Sequence, residues 1–239
     1  MNWLTRWFNE RPALGERPRT MIPVVEELEP RRVLSSPQTF AVASGILNSP
    51  ENYGDFIMQE YSNLLGRAPD NSGFNYWLGQ MENGVTPEAV ESGIASSAEY
   101  IQNHGNDQIA WLDGLYQDLL GRAPDIDGIN HWVGNLAGGD SAAGVAYEIS
   151  TSAEREINII NQDYALFLGR SPDADGINHW LGQFQQGWSR ADVASDIAAS
   201  DEFFANSGND PAQFIANLYQ DVLGRSPGQD EVDFWLTVY

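Results

Sequence analysis

Apolar side chains recur at spacings of three and four residues through most of the chain from Phe40 onward, which is the pattern of helices buried on one side. Two such stripes are formed by Ile109, Leu112, Tyr116 and Leu119, and by Ile129, Trp132, Val133 and Leu136. The pattern predicts an all-α protein.

A six-residue motif, LGRAPD at 120–125, separates these stripes and returns in near copies at 65–70, 168–173 and 223–227. A tyrosine precedes each copy, and a tryptophan follows 16 residues after that tyrosine. The tyrosines are Tyr61, Tyr116, Tyr164 and Tyr219, and the tryptophans are Trp77, Trp132, Trp180 and Trp235. The chain is therefore predicted to be an array of helical repeats in which these tryptophans are structural core residues.

The motif itself predicts the end of one helix and the start of the next. Glycine after an apolar helical stretch supplies the left-handed residue that ends a helix, and the proline that follows cannot continue it. Asp70, Asp125 and Asp173 then precede the next apolar stripe, where a carboxylate can accept hydrogen bonds from the first backbone N–H groups of a helix.

Two more helix starts in each repeat bring the expected number to about four helices. Ser189 with Asp192, and Thr86 before Pro87, begin a third helix. The stretches Ser96 to Glu99 and Thr151 to Glu154 have the cap-x-x-Glu form and predict the start of a fourth, with the glutamate reaching back to the cap.

The joints between repeats alternate in length. From the glutamate of the fourth helix to the next motif tyrosine the chain runs 10, 17, 10 and 17 residues, counting from Glu51, Glu99, Glu154 and Glu202. In the short joints we expect the fourth helix to run directly into the next repeat, whereas the long joints contain glycine and asparagine, which tolerate positive φ. The region 37–239 is thus predicted to be one array of paired repeats with a period of 103 residues.

Arginine is the only strongly basic residue in the chain, and only six of the 12 arginines follow residue 36. Four of them stand in the motif copies: Arg67, Arg122, Arg170 and Arg225. We expect their planar guanidinium groups to bind loop carbonyls or helix C-termini. Binding of an external ligand is the alternative.

The segment YQDLLGRAPDIDGINHW at 116–132, with the later Ser152, Ala153 and Glu154, resembles the bacterial family catalogued as domain of unknown function 4214, itself similar to the phycobilisome linker domain. The resemblance covers roughly residues 38–239 and implies an all-helical module of secreted and cell-surface proteins without established catalytic residues. The fourth copy departs from the pattern, with Gly228 and Glu231 where the third has Asp173 and Gly176.

Composition excludes several classes of function. The formal net charge of −22 would repel nucleic acid, and it is concentrated after residue 36, where six basic residues face 29 acidic ones. The chain contains no cysteine, so disulfides and thiolate chemistry are excluded. No stretch approaches the roughly 20 apolar residues of a transmembrane helix, so we expect a soluble protein without a membrane span.

The first 36 residues lack the repeat pattern and are predicted to form a flexible targeting or anchor segment. Their prolines leave no apolar core long enough for a standard secretory signal. However, residues 28–35 resemble the LEPR-x-L-L export motif of one group of budding bacteria, with Val33 in place of the first leucine. The segment 3–8 also contains Trp3, Leu4, Trp7 and Phe8 on one helical face, which is suited to a membrane surface. We expect an extracellular or cell-surface protein.

Histidines beside the motif tryptophans are the first candidates for chemistry. His131 and His179 precede Trp132 and Trp180, but Tyr76 and Phe234 occupy the same position in the other copies. An aromatic position of this kind indicates packing. Because the sequence also contains no hydrolase, metalloprotease or phosphate-binding motif, we expect no enzymatic activity and no catalytic residue.

Calcium and glycans are the alternative ligands. Asp125, Asp127, Asp173 and Asp175 precede glycines and resemble the end of an acidic calcium loop, although helix capping accounts for them without a metal. Trp188 could stack on a sugar ring, or it could pack as a hydrophobic staple on Val193. No other cofactor is indicated.

The sequence therefore predicts a non-enzymatic extracellular or cell-surface helical repeat module that mediates protein association or scaffolding. Its partner would be another protein or a second copy of the chain. The alternative is a glycan-binding or calcium-dependent adhesion module.

The two ends of the array are complementary, because it opens with the second half of a repeat and closes with the first half, 211–239. An uncovered apolar helix face should seek a partner. Either the N-terminal half folds back on the C-terminal half of the same molecule, or it docks on the next molecule in a head-to-tail contact.

Overall fold

The computed structural model describes residues 36–239, which form fourteen α-helices and no β-strand. In chain order they are α1 (Pro37–Leu47), α2 (Pro50–Leu65), α3 (Asn71–Glu82), α4 (Pro87–Ala95), α5 (Ala98–Asn103), α6 (Gln108–Leu115), α7 (Ile126–Gly138), α8 (Ala142–Ser150), α9 (Ala153–Asp163), α10 (Ala174–Gln185), α11 (Arg190–Ala198), α12 (Asp201–Asn206), α13 (Pro211–Leu223) and α14 (Gln229–Val238). The prediction of an all-α repeat array is confirmed. The predictions for the export motif and the apolar face at 3–8 lie outside the described residues.

The motif loops end and start helices as predicted. Gly66, Gly121, Gly169 and Gly224 all have φ between 65° and 72°, so each is in the left-handed conformation at a helix C-terminus. Oδ1 of Asp70 accepts a hydrogen bond from the N–H of Gly73 at 2.7 Å, and Asp125 and Asp173 cap α7 and α10 in the same way.

The predicted caps of the fourth helix are wrong by one residue. Ser97 and Ser152, rather than Ser96 and Thr151, accept the hydrogen bonds that cap α5 and α9. The glutamate of each stretch therefore lies at the second helical position, too early to complete a capping box. Its carboxylate is left to bind another group.

The joints behave as their lengths predict. Helix α2 crosses the first short joint without a break, and α9 continues directly into a π-helical turn, Tyr164–Leu168. The long joints break at Gly105–Asn106 and Gly208–Asn209, where both residues of each pair have positive φ. A second π-helical turn, Tyr116–Leu120, extends α6.

The array closes within one molecule. Helix α1 packs on α11, α13 and α14, so the N-terminal half-repeat covers the helices of the C-terminal half-repeat. The fully buried indole of Trp235 lies on Gly45, where an added Cβ would be 2.4 Å from Cη2 of the ring. Of the two outcomes that the complementary ends allow, the structure shows the intramolecular one.

Candidate binding site

The four motif arginines share one arrangement. Each guanidinium binds both oxygens of a glutamate through Nε and Nη2, at 2.5–2.7 Å. The pairs are Arg67–Glu99, Arg122–Glu154, Arg170–Glu202 and Arg225–Glu51. Nη1 also donates to the carbonyl of the next residue, at 2.9–3.3 Å. The expected carbonyl contact is thus present, but a carboxylate is the principal partner.

The motif tyrosine and tryptophan belong to the same cluster. Each guanidinium lies over the tyrosine of its repeat, 4.9–5.3 Å from the ring centroid. In three repeats the tyrosine hydroxyl accepts a hydrogen bond from the indole of the tryptophan, at 2.9–3.0 Å. The bond joins residues at the constant 16-residue spacing. The motif residues therefore build the scaffold.

Burial of the motif tryptophans divides them into two pairs. Trp180 and Trp235 are fully buried, whereas Trp77 and Trp132 are half-buried at the edge of the core. The aromatic ring before each tryptophan packs edge-on against it, with centroids 4.6 Å apart for His131 and 5.0 Å for Phe234. The histidines thus occupy the same packing position as tyrosine and phenylalanine.

The acidic loops proposed for calcium lie at the starts of α7 and α10. Asp125 and Asp173 accept the capping hydrogen bonds described above, and Asp127 and Asp175 are exposed two residues further on. Within 36–239, no three acidic or histidine side chains converge as metal ligands. Calcium binding stays a prediction.

A first cleft, here called the indole cleft, contains Trp188. It has a volume of about 480 Å³ and is also lined by Tyr147, Phe184, Gln185 and Glu156. Tyr147 is 45% exposed, so its ring is accessible from the cleft side. Burial, and then the charge of Glu88, raise the pKa of Glu156 to about 6.

The two arginines outside the motif lie in a buried cluster of charges. Glu91 of α4 is fully buried and binds Arg155 of α9 at 2.5 Å, Arg190 of α11 at 3.4 Å and the hydroxyl of Ser150 at 2.6 Å. Burial would raise the pKa of Glu91, but the charges of Arg190 and Arg155 outweigh it and lower the pKa. Glu88 accepts a hydrogen bond from the backbone N–H of Arg190.

A second cleft, here called the central cleft, lies beside this cluster and is lined by residues of α2 and α9. Its volume is about 430 Å³. Glu60 and Asp163, which line it, are separated by the 103-residue period and stand immediately before the motif tyrosines of their repeats. Burial raises the pKa of each to about 7, with the charge of Glu91 adding to the effect on Glu60.

Reasoning from the sequence missed both the glutamate partners and the central cleft. Three of the arginines have their glutamate 32 residues further along the chain, a spacing that the repeat alignment contains. The sequence also distinguishes Glu60 and Asp163, because the same position is occupied by Leu115 and Leu218 in the other two repeats. Their convergence on one cleft depended on the packing.

No helix within 36–239 is long and apolar enough to span a bilayer.

Comparison with known proteins gives one family. The profile described as "Domain of unknown function (DUF4214)" matches residues 43–104, 93–159, 155–207 and 194–238, almost the whole described region. Searches against curated proteins and against solved structures gave no match. The chain therefore belongs to the DUF4214 family, and it contains four copies of the domain.

Proposed function

We propose that the protein is a non-enzymatic, extracellular or cell-surface scaffold that binds other proteins. The supporting observation is that each motif arginine binds a glutamate and lies over the motif tyrosine, and that in three repeats this tyrosine binds the motif tryptophan. These contacts join neighbouring helices, and the pair of Arg225 with Glu51 joins the two ends of the array. The repeated residues therefore make the array rigid, and the variable positions are free for recognition. Rigid scaffolds bind with little loss of conformational freedom.

The exposed apolar residues support a protein partner. Ile126, at the first position of α7, is 79% exposed, and the equivalent positions in the other repeats are Asn71, Ala174 and Gln229. An apolar side chain that the fold does not need at this position is suited to an interface. The resemblance of 28–35 to an export motif supports the location at the cell surface.

The experiment is binding of the labelled, purified protein to its own cells. We expect saturable binding that is lost after mild protease treatment of the cells and weakened by Ile126→Asp. Ala174→Asp, at the equivalent and exposed position of α10, is the matched control. Recovery of the native protein only from the cytoplasm would contradict the proposal.

A second candidate is glycan binding in the indole cleft. Aromatic rings supply apolar faces for sugar C–H groups, while Glu156 and Gln185 supply partners for hydroxyl groups. In this case binding to cells would survive protease, be lost after glycosidase treatment and require Trp188. If adhesion depended on calcium, chelator would abolish it and calcium would raise the melting temperature of the folded protein.

A further inference from the structure

The central cleft contains acids that the fold itself does not require. Glu60 and Asp163 occupy the position held by Leu115 and Leu218 in the other repeats, and both leucines are fully buried. Leucine there adds to the core, whereas a buried carboxylate is destabilising unless a cation or hydrogen-bond donor compensates it. A carboxylate that replaces a buried leucine in two related repeats is a candidate functional residue.

Neither acid forms a compensating hydrogen bond or ion pair within the described chain. Glu60 is 7% exposed and forms no hydrogen bond or ion pair with residues 36–239. Oδ2 of Asp163 is buried and also has no hydrogen-bond partner there. Both residues line the same cleft, so two carboxyl groups without a hydrogen-bond partner border one space.

Burial raises the pKa of both acids against the opposing charge of Arg190, which forms no hydrogen bond or ion pair with either of them. Arg155 and Arg190 form their ion pairs with Glu88 and Glu91, so two positive charges are already matched by two negative ones. Glu60 and Asp163 are left over, and Asp55, which also lines the cleft, adds a third carboxyl. When they are ionised, these carboxyls outnumber the two arginines, so the charge of the cleft favours a cation, as does the net charge of the chain. Nε of Arg155 and both Nε and Nη2 of Arg190 are buried donors that also have no hydrogen-bond partner within the described chain.

The geometry favours an organic cation over a metal ion. No group of three acidic or histidine side chains in the described part of the chain is arranged to hold a metal. A guanidinium or primary ammonium can be bound by two carboxylates and further acceptors, because it carries one positive charge and several N–H donors. The carbonyl oxygens of Gln59 and Gln162, which are also separated by 103 residues and also line the cleft, supply such acceptors. The volume of about 430 Å³ lies in the range of small-ligand pockets.

We propose that the central cleft binds a guanidinium or primary ammonium group between the carboxylates of Glu60 and Asp163. The group belongs either to a free amine or to an arginine or lysine side chain of a bound protein. This inference does not rest on the proposed scaffold function, because the cleft would bind a small cation even if no protein partner existed.

The test is calorimetric titration of the full-length protein at pH 8 with n-propylguanidinium and with acetyl-Gly-Arg-Gly-amide. Neutral isosteres, n-propylurea and the citrulline peptide, serve as ligand controls. Both cations should bind, and the isosteres should bind at least about tenfold more weakly, because an uncharged group cannot satisfy two carboxylates. Tighter binding of the peptide than of the small cation would identify a protein side chain as the source, and equal binding would identify a free amine.

Two double variants test the residues. Glu60→Leu/Asp163→Leu places the side chain of the other repeats at both positions and should fold, but lose at least about tenfold in affinity for both cations. Glu60→Gln/Asp163→Asn, which keeps the shape of the side chains, should lose as much. Asp113→Asn/Glu148→Gln removes the same number of charges from exposed positions outside the cleft and should bind like the parent.

The pH dependence of cation binding is an independent test of the same site. Cation binding should weaken as the pH falls from 8 towards 5, because both carboxylates then become protonated, and the Gln/Asn variant should show no such dependence. Absence of cation binding in the parent protein, or equal binding by the parent and the Leu/Leu variant, would overturn the proposal.

Discussion

The guanidinium of Arg225 binds the carboxylate of Glu51, which lies 174 residues earlier in the chain. In the other three repeats the same bond joins residues only 32 apart. The repeated bond is thus used once to connect the two ends of the array. Arg225 also binds Glu231 through two further hydrogen bonds, so its position does not depend on Glu51 alone.

Replacing Glu51 by glutamine should loosen the closure. We expect a loss of about 1 kcal/mol in the free energy of unfolding, because the pair is partly exposed, and faster hydrogen exchange in α1. Glu99→Gln removes the same bond between neighbouring segments and is the matched control. It should lower stability without a selective change in α1, and equal exchange of α1 in the two variants would contradict the role of Glu51.

Gly45 permits the closest contact in the closure, and replacing it should disturb the same interface. The Cβ of an alanine there would lie 2.4 Å from the indole of Trp235, so Gly45→Ala should lower the free energy of unfolding by about 1–3 kcal/mol. Gly79→Ala in α3, where an added Cβ would contact nothing within 4 Å, should be neutral or raise stability by up to about 1 kcal/mol. Denaturant unfolding measures both, and a neutral Gly45→Ala would show that the contact can relax.

The periodic features of the fold were predictable because they depend on local chemistry. Glycine with positive φ, aspartate at a helix start and a joint of fixed length each act within one or two turns of the chain. The partner of Arg122 was not predicted, because a guanidinium can bind either a carbonyl or a carboxylate, and the sequence alone does not show which of them lies beside it. Glu154 lies at the second position of α9, whereas the expected cap would have put it at the third. At the second position its carboxylate binds the arginine.

The motif tryptophans should differ in their contribution to stability although the sequence treats them alike. Trp180→Ala removes a fully buried ring and should cost about 3–5 kcal/mol. Trp132→Ala removes a half-buried ring and should cost clearly less, and Trp188→Ala less than Trp180→Ala for the same reason. Urea unfolding of the three variants gives the order, and equal losses would show that exposure in the folded protein does not determine it.

The central acids should make stability depend on pH in a defined direction. The pKa of Glu60 rises from its usual 4.5 to about 7 on folding, and that of Asp163 from 3.8 to about 7. At a pH between the unfolded and the folded pKa of each group, the folded protein holds a proton that the unfolded chain has released. The contribution of these two groups to stability therefore falls as the pH rises through this window, and the loss is complete above about pH 7.

Comparison of the parent with Glu60→Gln/Asp163→Asn isolates this contribution from those of the other carboxylates. At pH 8 the variant should be more stable by at least about 1 kcal/mol, because neutral amides avoid the burial of two negative charges. At pH 4 the parent acids are themselves protonated, so the difference should shrink to within about 0.5 kcal/mol. Asp113→Asn/Glu148→Gln, at exposed positions, should show no comparable change with pH. A stability difference that stays constant from pH 4 to 8 would mean that Glu60 and Asp163 ionise normally in the folded protein.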